Sequence, residues 1–162
     1  MQLEHAEIKN PTHTLNLILV LEYVQSPQNI GLIIRTAEAM GVKSIYILSQ
    51  TYTQLTPKIK TISRSAEQSL DIQFFKSWKQ LTPRLQAFNL PWIALEKTDR
   101  SIPFKTFNPQ QSCIIFCGNE KNGISEETLS LCNAHLHIDM YGKNTSMNVA
   151  VATGILLSHI VP

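Results

Sequence analysis

The sequence has no Gly-x-Gly anywhere among its 162 residues. This absence excludes the dinucleotide-binding fingerprint and the usual glycine motif of Rossmann-type methyltransferases. The segment 118–123 has the two glycines of a P-loop, but it lacks the Lys-Ser/Thr pair that must follow them. No cluster of carboxylates with histidines is visible either, which disfavours a metal-dependent hydrolase.

Cysteine is scarce, with Cys113, Cys117 and Cys132 as the only three. The odd count, and the position of two of them in one apolar stretch, argue against a disulfide framework and favour a reducing cytoplasm. The spacing of Cys132 with His135 and His137 fits no familiar zinc pattern. We therefore expect no bound metal.

Long apolar runs and net charge are also limited. The acidic N-terminal stretch does not read as a signal peptide, and the longest apolar segment is too short and interrupted to span a membrane. A net charge of +2 means that any nucleic-acid site needs locally gathered basic residues or doubling by dimerisation. The length predicts a single domain over residues 1–162, with 1–13 as a loose arm.

Short apolar strands alternate with helical patterns along the rest of the chain. This order predicts an α/β domain with a mostly parallel sheet and helices on both faces. Ligands of such sheets bind beyond the carboxyl ends of the strands. The predicted strands are 15–24, 42–48, 70–75, 91–95, 113–117 and 135–140; the predicted helices are 29–41, 78–88, 125–131 and 146–161; 51–69 is a basic segment with helix-compatible spacing.

The C-terminal helix is apolar on nearly every side over residues 149–161. Such a helix must be buried, either in the domain or against another copy of the chain. The polar residues Asn144, Thr145, Ser146 and Asn148 gather where it begins. They indicate either a ligand site at the helix N-terminus or ordinary capping by Thr145 or Ser146.

Two further segments contain polar residues in unusual places. Asn29 is placed to cap the first helix, and Arg35 follows within an otherwise apolar pattern. Arg35 has a structural interpretation, a salt bridge to Glu38 or Glu120, and a functional one, contact with a phosphate or ribose. Glu120 is correspondingly either a solvated turn residue or a positioned carboxylate.

Three motifs occur in a fixed order: Asn-Ile-Gly-x-Ile-x-Arg-Thr-Ala at 29–37, Gly-Asn-Glu-x-x-Gly-Ile-Ser at 118–125, and Ile-x-Met-x5-Ser-Met-Asn at 138–148. Together they resemble the SpoU, or TrmH-like, branch of the SPOUT superfamily of RNA methyltransferases. The resemblance covers residues 16–160. It implies a C-terminal trefoil knot built from the loops at Gly118 and Met140 and the final helix, although true knots are very rare in proteins.

The resemblance also implies site residues and a reaction. The cofactor is S-adenosylmethionine, and the product is a ribose 2′-O-methyl group. Because an arginine stays protonated, we expect Arg35 to orient the ribose or its phosphate and stabilise the developing oxyanion, with Glu120 and Asn29 holding Arg35 and the substrate. The proton acceptor stays open. The implied active-site residues are Asn29, Arg35, Glu120, Ser146 and Asn148, and the implied cofactor residues are Leu95, Gly118, Ile138, Met140, Ser146 and Met147.

The implied partners are RNA and a second copy of the chain. Transfer RNA is the preferred substrate class and ribosomal RNA the second; base methylation and a catalytically silent RNA-binding dimer are the alternatives. The dimer is expected to pack through the C-terminal helix, so that a charge at Ile155 or Leu156 would unfold or dissociate it. Candidate contacts to the RNA backbone are Lys58, Lys60, Arg64, Lys97, Arg100 and Lys105.

Overall fold

The computed structural model describes residues 10–108 and 111–162. The predicted arm over 1–13 therefore lies mostly outside the described residues. Seven strands form one sheet in the order β3-β2-β1-β6-β4-β7-β5, and every neighbouring pair is parallel. The strands are β1 (Leu17–Glu22), β2 (Ser44–Leu48), β3 (Asp71–Phe75), β4 (Trp92–Leu95), β5 (Ile102–Pro103), β6 (Cys113–Cys117) and β7 (Ala134–His137).

Five helices cover the sheet on both faces, as the sequence predicted. They are α1 (Pro27–Ala39), α2 (Pro57–Ser63), α3 (Trp78–Gln86), α4 (Glu126–Leu131) and α5 (Val149–Ile160). Alternate residues of the buried strands face opposite ways: Leu19 packs in the cluster with α1, α2 and α5, and Val20 packs in the cluster with α3 and α4. Burial of central parallel strands on both faces explains why their sequences are almost continuously apolar.

Two helix starts differ from the predictions. The cap of α1 is Ser26, whose Oγ accepts the Asn29 N–H at 3.3 Å, so the prediction of Asn29 as cap was wrong. Pro27 suits the first helical position because its fixed φ matches a helix. The cap of α5 is Asn148, not Thr145 or Ser146, and the helix begins at Val149 instead of Ser146.

The strand predictions differ from the structure at β5 and β7. The segment 135–140 forms β7 only as far as His137, and residues from Ile138 onward leave the sheet. Between the predicted strands 91–95 and 113–117, where the sequence analysis placed no strand, the structure has the short strand β5, which pairs with β7 at the sheet edge. A strand of two residues is too short to show an alternating apolar pattern in the sequence. Its proline lacks an N–H donor, which a strand at the edge of a sheet tolerates.

The last segment of the chain crosses back over the sheet. β7 lies between β4 and β5, whereas α5 packs against α1, close enough that a Cβ on Gly154 would lie 3.4 Å from Thr36 Cγ2. The predicted knot concerns how this segment threads the loops at Gly118 and Met140, and it stays a prediction. Within the described ranges, no helix is long and apolar enough to cross a membrane.

Only one side of α5 is buried in the protomer. Leu156 is fully buried, whereas Val151 is 55% exposed and Ile155 is half-buried. A charge at Leu156 would therefore unfold the protomer whether or not a dimer forms, so the expectation for Leu156 does not test an interface. Val151 is the residue that does.

Candidate functional site

A cavity of about 350 Å³ opens beyond the carboxyl ends of β4, β6 and β7. This is the edge at which parallel sheets bind ligands. All six predicted cofactor residues line it: Leu95, Gly118, Ile138, Met140, Ser146 and Met147. Three of the five predicted active-site residues line it as well, namely Glu120, Ser146 and Asn148. Asn29 and Arg35 do not belong to the wall.

A chain of side-chain hydrogen bonds joins Asn29 to the cavity. Asn148 Nδ2 donates to Asn29 Oδ1 at 2.8 Å, and Asn29 Nδ2 donates to Glu120 Oε1 at 2.9 Å. The Asn148 Oδ1 accepts the N–H groups of Ala150 and Val151 at the start of α5. Each amide thus has its oxygen and nitrogen fixed by a different partner, and the three segments that carry the motifs are held together.

Glu120 is held as a carboxylate. Its oxygens accept the N–H groups of Gln25 at 3.1 Å and Ser26 at 3.0 Å, in addition to the Asn29 amide. Partial burial disfavours the charge, but these hydrogen bonds more than offset that cost, so the pKa of Glu120 lies below its ordinary value. Glu120 is therefore a positioned carboxylate and a weak base.

This lowered pKa predicts an acid-dependent loss of stability. The contribution of Glu120 is fully present above its ordinary pKa of 4.5 and is lost as the pH falls through the lower folded value. Melting temperatures measured from about pH 5 down to about pH 3 should fall more steeply for the wild type than for Glu120→Gln, by a modest amount because the side chain is largely exposed. Glu38→Gln, at an exposed carboxylate on α1, is the control; equal slopes for the wild type and Glu120→Gln would contradict the prediction.

The loop 118–123 closes on itself by backbone contacts. Asn119 and Gly123 exchange two backbone hydrogen bonds of 3.0 and 2.9 Å. A Cβ on Gly118 would lie 2.3 Å from the carbonyl carbon of Gly123, which no L side chain can occupy. Gly123 has φ +68°, and a Cβ there would meet Glu96 Oε2. Both glycines are needed for the fold of this loop.

We expect Gly118→Ala to destabilise the protein by about 1–3 kcal/mol or more, because backbone rather than a flexible side chain must move. Gly142→Ala should stay within about 0.5 kcal/mol of the wild type, since no atom lies within 4 Å of a Cβ at Gly142. Urea denaturation of the two variants tests this. Equal midpoints would show that the loop can open without cost.

Arg35 is exposed on α1. Neither expected salt bridge is present: Arg35 pairs with neither Glu38 nor Glu120, both of which lie in the described part of the chain. The expectation that Glu120 and Asn29 hold Arg35 was therefore wrong for the protomer, because Glu120 instead binds the turn before α1. The guanidinium is left available to a ligand.

Sequence reasoning missed two titratable residues of the cavity wall, Glu96 and His137. Glu96 accepts the N–H groups of Ile124 and Lys97, each at 3.1 Å. The hydroxyl of Ser101 donates to the Thr98 carbonyl, so the contact of 2.9 Å with His137 Nδ1 must be donated by the histidine. Both residues follow or end a strand at the ligand-binding edge, and that position was the signal available in the sequence.

The backbone between β7 and α5 is open to a ligand. Over residues 139–147, no N–H or C=O group makes a hydrogen bond to another described residue. Several of these residues line the cavity, including Met140, Ser146 and Met147. This arrangement supplies donors and acceptors without a charged side chain.

The predicted RNA contacts are dispersed. Lys97 lines the cavity, and Arg100 Nη2 donates to the Leu129 carbonyl at 3.2 Å, which occupies part of its guanidinium. The other four lie outside the cavity wall: Lys58, Lys60, Arg64 and Lys105.

Neither ring nitrogen of His135 is free, because one contacts Thr98 Oγ1 and the other the Leu129 carbonyl. Across the described ranges, no cluster of three metal-binding side chains occurs.

Comparison with known proteins places these features in a family. The model described as the SpoU rRNA Methylase family matches residues 16–158. The 23S rRNA (guanosine-2′-O-)-methyltransferase RlmB of Acinetobacter baylyi is 29% identical over 142 residues, covering 87% of this chain and 57% of the relative. The chain spans about half to three fifths of the length of such curated relatives.

Solved structures share the fold. The SpoU methyltransferase AviRb from Streptomyces viridochromogenes, in complex with AdoMet, has a TM-score of 0.85 at 24% identity, covering 93% of this chain and 61% of that one. A structure described as giving insights into the 2-OH methylation of C/U34 on tRNA has a TM-score of 0.77 at 25% identity. It covers 89% of this chain, which in turn spans 93% of that protein.

Proposed function

The chain belongs to the SpoU rRNA methylase family, as its three motifs predicted, and from this premise we propose that it transfers a methyl group from S-adenosylmethionine to a ribose 2′-hydroxyl of RNA. The observation that carries the proposal is the cavity lined by the second and third motifs, to which the first motif is joined by the hydrogen bonds from Asn148 through Asn29 to Glu120. The relatives include a 23S rRNA (guanosine-2′-O-)-methyltransferase and a tRNA (guanosine(18)-2′-O)-methyltransferase, which supports the reaction type.

The cavity fits the cofactor. Its volume of about 350 Å³ falls within the range of about 300–1,000 Å³ usual for small-molecule sites. Leu95, Ile138 and Met140 offer apolar surface for an adenine, and the unpaired backbone groups of 139–147 offer donors and acceptors for its edge. Gly118 and Ser146 complete the wall on the side of the two motif loops.

When bound, S-adenosylmethionine would supply an activated methyl group: the C–S bond would break as the C–O bond forms, a neutral thioether would leave, and the 2′-hydroxyl would lose its proton, ultimately to solvent. The protein must therefore mainly position the ribose and accommodate charge on its oxygen. Arg35 suits this role because its guanidinium is exposed and makes no ion pair with Glu38 or Glu120. Glu120, whose hydrogen bonds hold its pKa below the ordinary value, positions the turn before α1.

The same proposal includes a dimer through α5. The exposed apolar side chain of Val151, with Ile155 one turn further along, is the surface that a second copy would cover. The free thiols Cys113, Cys117 and Cys132 are consistent with a reducing compartment such as the cytoplasm. The RNA is proposed to be tRNA in preference to rRNA.

Methyl transfer from labelled S-adenosylmethionine to unmodified bulk tRNA and, separately, rRNA tests the proposal. Nuclease digestion and nucleoside identification should yield a 2′-O-methyl nucleoside from tRNA. A methylated base would contradict the assignment of the ribose as the methyl acceptor and favour base methylation on this fold. Cofactor binding without transfer to either RNA would count against the reaction, and absence of cofactor binding would favour the silent RNA-binding dimer.

A further inference from the structure

A second cavity of about 360 Å³ lies beyond the carboxyl ends of β1 and β2. Asn119 and Gly123 belong to its wall and to that of the first cavity, so only the loop 118–123 separates the two. Part of its wall belongs to the motif at 118–125, and the rest comes from the ends of β1 and β2. Its wall is formed by Glu22, Tyr23, Gln25, Ser49, Gln50, Thr51, Asn119, Asn122, Gly123 and Ser125.

The wall favours a polar, uncharged ligand. It contains amides and hydroxyls but no lysine or arginine, so it offers no partner for a phosphate. Its one acid, Glu22, is 1% exposed and already accepts hydrogen bonds from Ser125 Oγ at 2.6 Å and Thr128 Oγ1 at 2.9 Å. The carboxylate therefore serves the start of α4 and is not free for a cation.

One aromatic ring in the wall is held by a strained backbone. Tyr23 has φ +55°, a conformation that favours glycine. Its N–H donates to the Leu48 carbonyl at 2.9 Å, and its carbonyl accepts Asn119 Nδ2 at 2.7 Å. These bonds fix the left-handed residue, and non-glycine residues held in this way cluster at functional sites. Tyr23 is half-buried and belongs to the cavity wall, and its side chain also packs against the core cluster on the α3 side of the sheet.

Three amides in the same wall have free hydrogen-bonding groups, those of Gln25, Gln50 and Asn122. Gln50 uses Nε2 to donate to the Lys76 carbonyl, so its Oε1 can still accept. The exposed side chain of Asn122 makes no hydrogen bond to another described residue, which leaves both its donor and its acceptor. An aromatic face beside amide groups is how proteins hold a single unstacked base.

We propose that the second cavity receives one nucleobase of the substrate RNA, stacked on Tyr23 and read by Gln50 and Asn122, while the ribose to be methylated lies at the first cavity. The assignment rests on the proposed function for its choice of RNA as ligand. The shared wall at Asn119 and Gly123 places the base and the reacting ribose on either side of one loop. This cavity then selects which nucleotide is modified.

Binding of fluorescein-labelled A6, C6, G6 and U6 RNA at fixed low salt tests the proposal without requiring catalysis. The wild type should prefer one hexanucleotide, and Tyr23→Gly should weaken that complex about tenfold or more, because one stacked base is lost. Glycine adopts this φ freely, so the backbone conformation at this position is retained, and an unchanged circular dichroism spectrum checks the fold. Asn122→Ala should flatten the preference among the four. Gln86→Ala, at an exposed amide on α3, should change nothing, and the cofactor Kd should stay within about twofold in all variants.

Equal affinities of wild type, Tyr23→Gly and Asn122→Ala for all four RNAs would overturn the nucleobase site. So would the absence of saturable binding by the wild type up to about 1 mM, well above usual non-specific affinities. The KM for RNA in methyl transfer separates the two proposals. If both variants transfer methyl groups with an unchanged KM for RNA, the nucleobase site is contradicted and the proposed function stands. If RNA binding depends on the Tyr23 ring but no methyl group is transferred, the nucleobase site stands and the proposed function is contradicted.

Discussion

Arg35→Ala is expected to lose about a hundredfold to a thousandfold in the rate of methyl transfer while the Kd for S-adenosylmethionine stays unchanged. The rate should fall without a change in the cofactor Kd because Arg35 is exposed on α1 and lies outside the wall of the first cavity. Its removal therefore takes nothing from the cofactor site but takes away the cation that would face the ribose or its phosphate. Single-turnover transfer and calorimetric titration of the cofactor measure the two quantities separately.

Arg84→Ala is the matched control, since Arg84 is an equally exposed arginine on α3, across the sheet. It should transfer methyl groups at the wild-type rate. Arg35→Lys should recover only part of the lost rate, because an ammonium keeps the charge but not the planar pair of donors. Full activity of Arg35→Ala would remove this residue from the mechanism.

Val151→Glu is expected to convert the proposed dimer to monomers and to abolish the proposed methyl transfer with it. Val151 is 55% exposed in the protomer, so a carboxylate there is solvated in the monomer but would be buried without a partner in the dimer. An uncompensated buried charge costs about 3–5 kcal/mol, which raises the dissociation constant by about a hundredfold or more. Sedimentation velocity over a range of concentrations measures the change.

Leu131→Glu places the same charge on an apolar side chain of similar exposure, 49%, on α4. That variant should remain a dimer with a normal melting temperature. If both variants sediment as dimers, the interface lies elsewhere than α5. If the wild type is itself an active monomer, the dimer is not part of the function.

The buried frame of the fold could be predicted from the sequence because its strands are covered on both faces. The strand Cys113–Cys117 was predicted with its observed bounds, and the helix Glu126–Leu131 was predicted over 125–131, a range that includes its cap Ser125. In the strand, a continuous apolar run is bounded by polar residues. In the helix, a capping serine precedes two acidic residues in the first turn.

The details that failed are those decided by distant parts of the chain. Three residues could cap α5, and Asn148 does so while its other amide atom binds Asn29, a contact across 119 residues. The pairing of Glu120 with the turn at Gln25, rather than with Arg35, is likewise a tertiary contact. The wall of the second cavity includes Tyr23, whose left-handed backbone conformation is not predicted by any local sequence pattern.

The hydrogen bonds from Asn148 to Asn29 and from Asn29 to Glu120 also constrain the order of events during folding. They join positions separated by 119 and 91 residues, so on a nascent chain the first cannot form before Asn148 has been synthesised, nor the second before Glu120. Contacts of such long range form late and slowly, because much chain entropy is lost before they contribute. Strands β1 and β2 can pair early, but the hydrogen bonds that join the three motifs are complete only after Asn148 has been added.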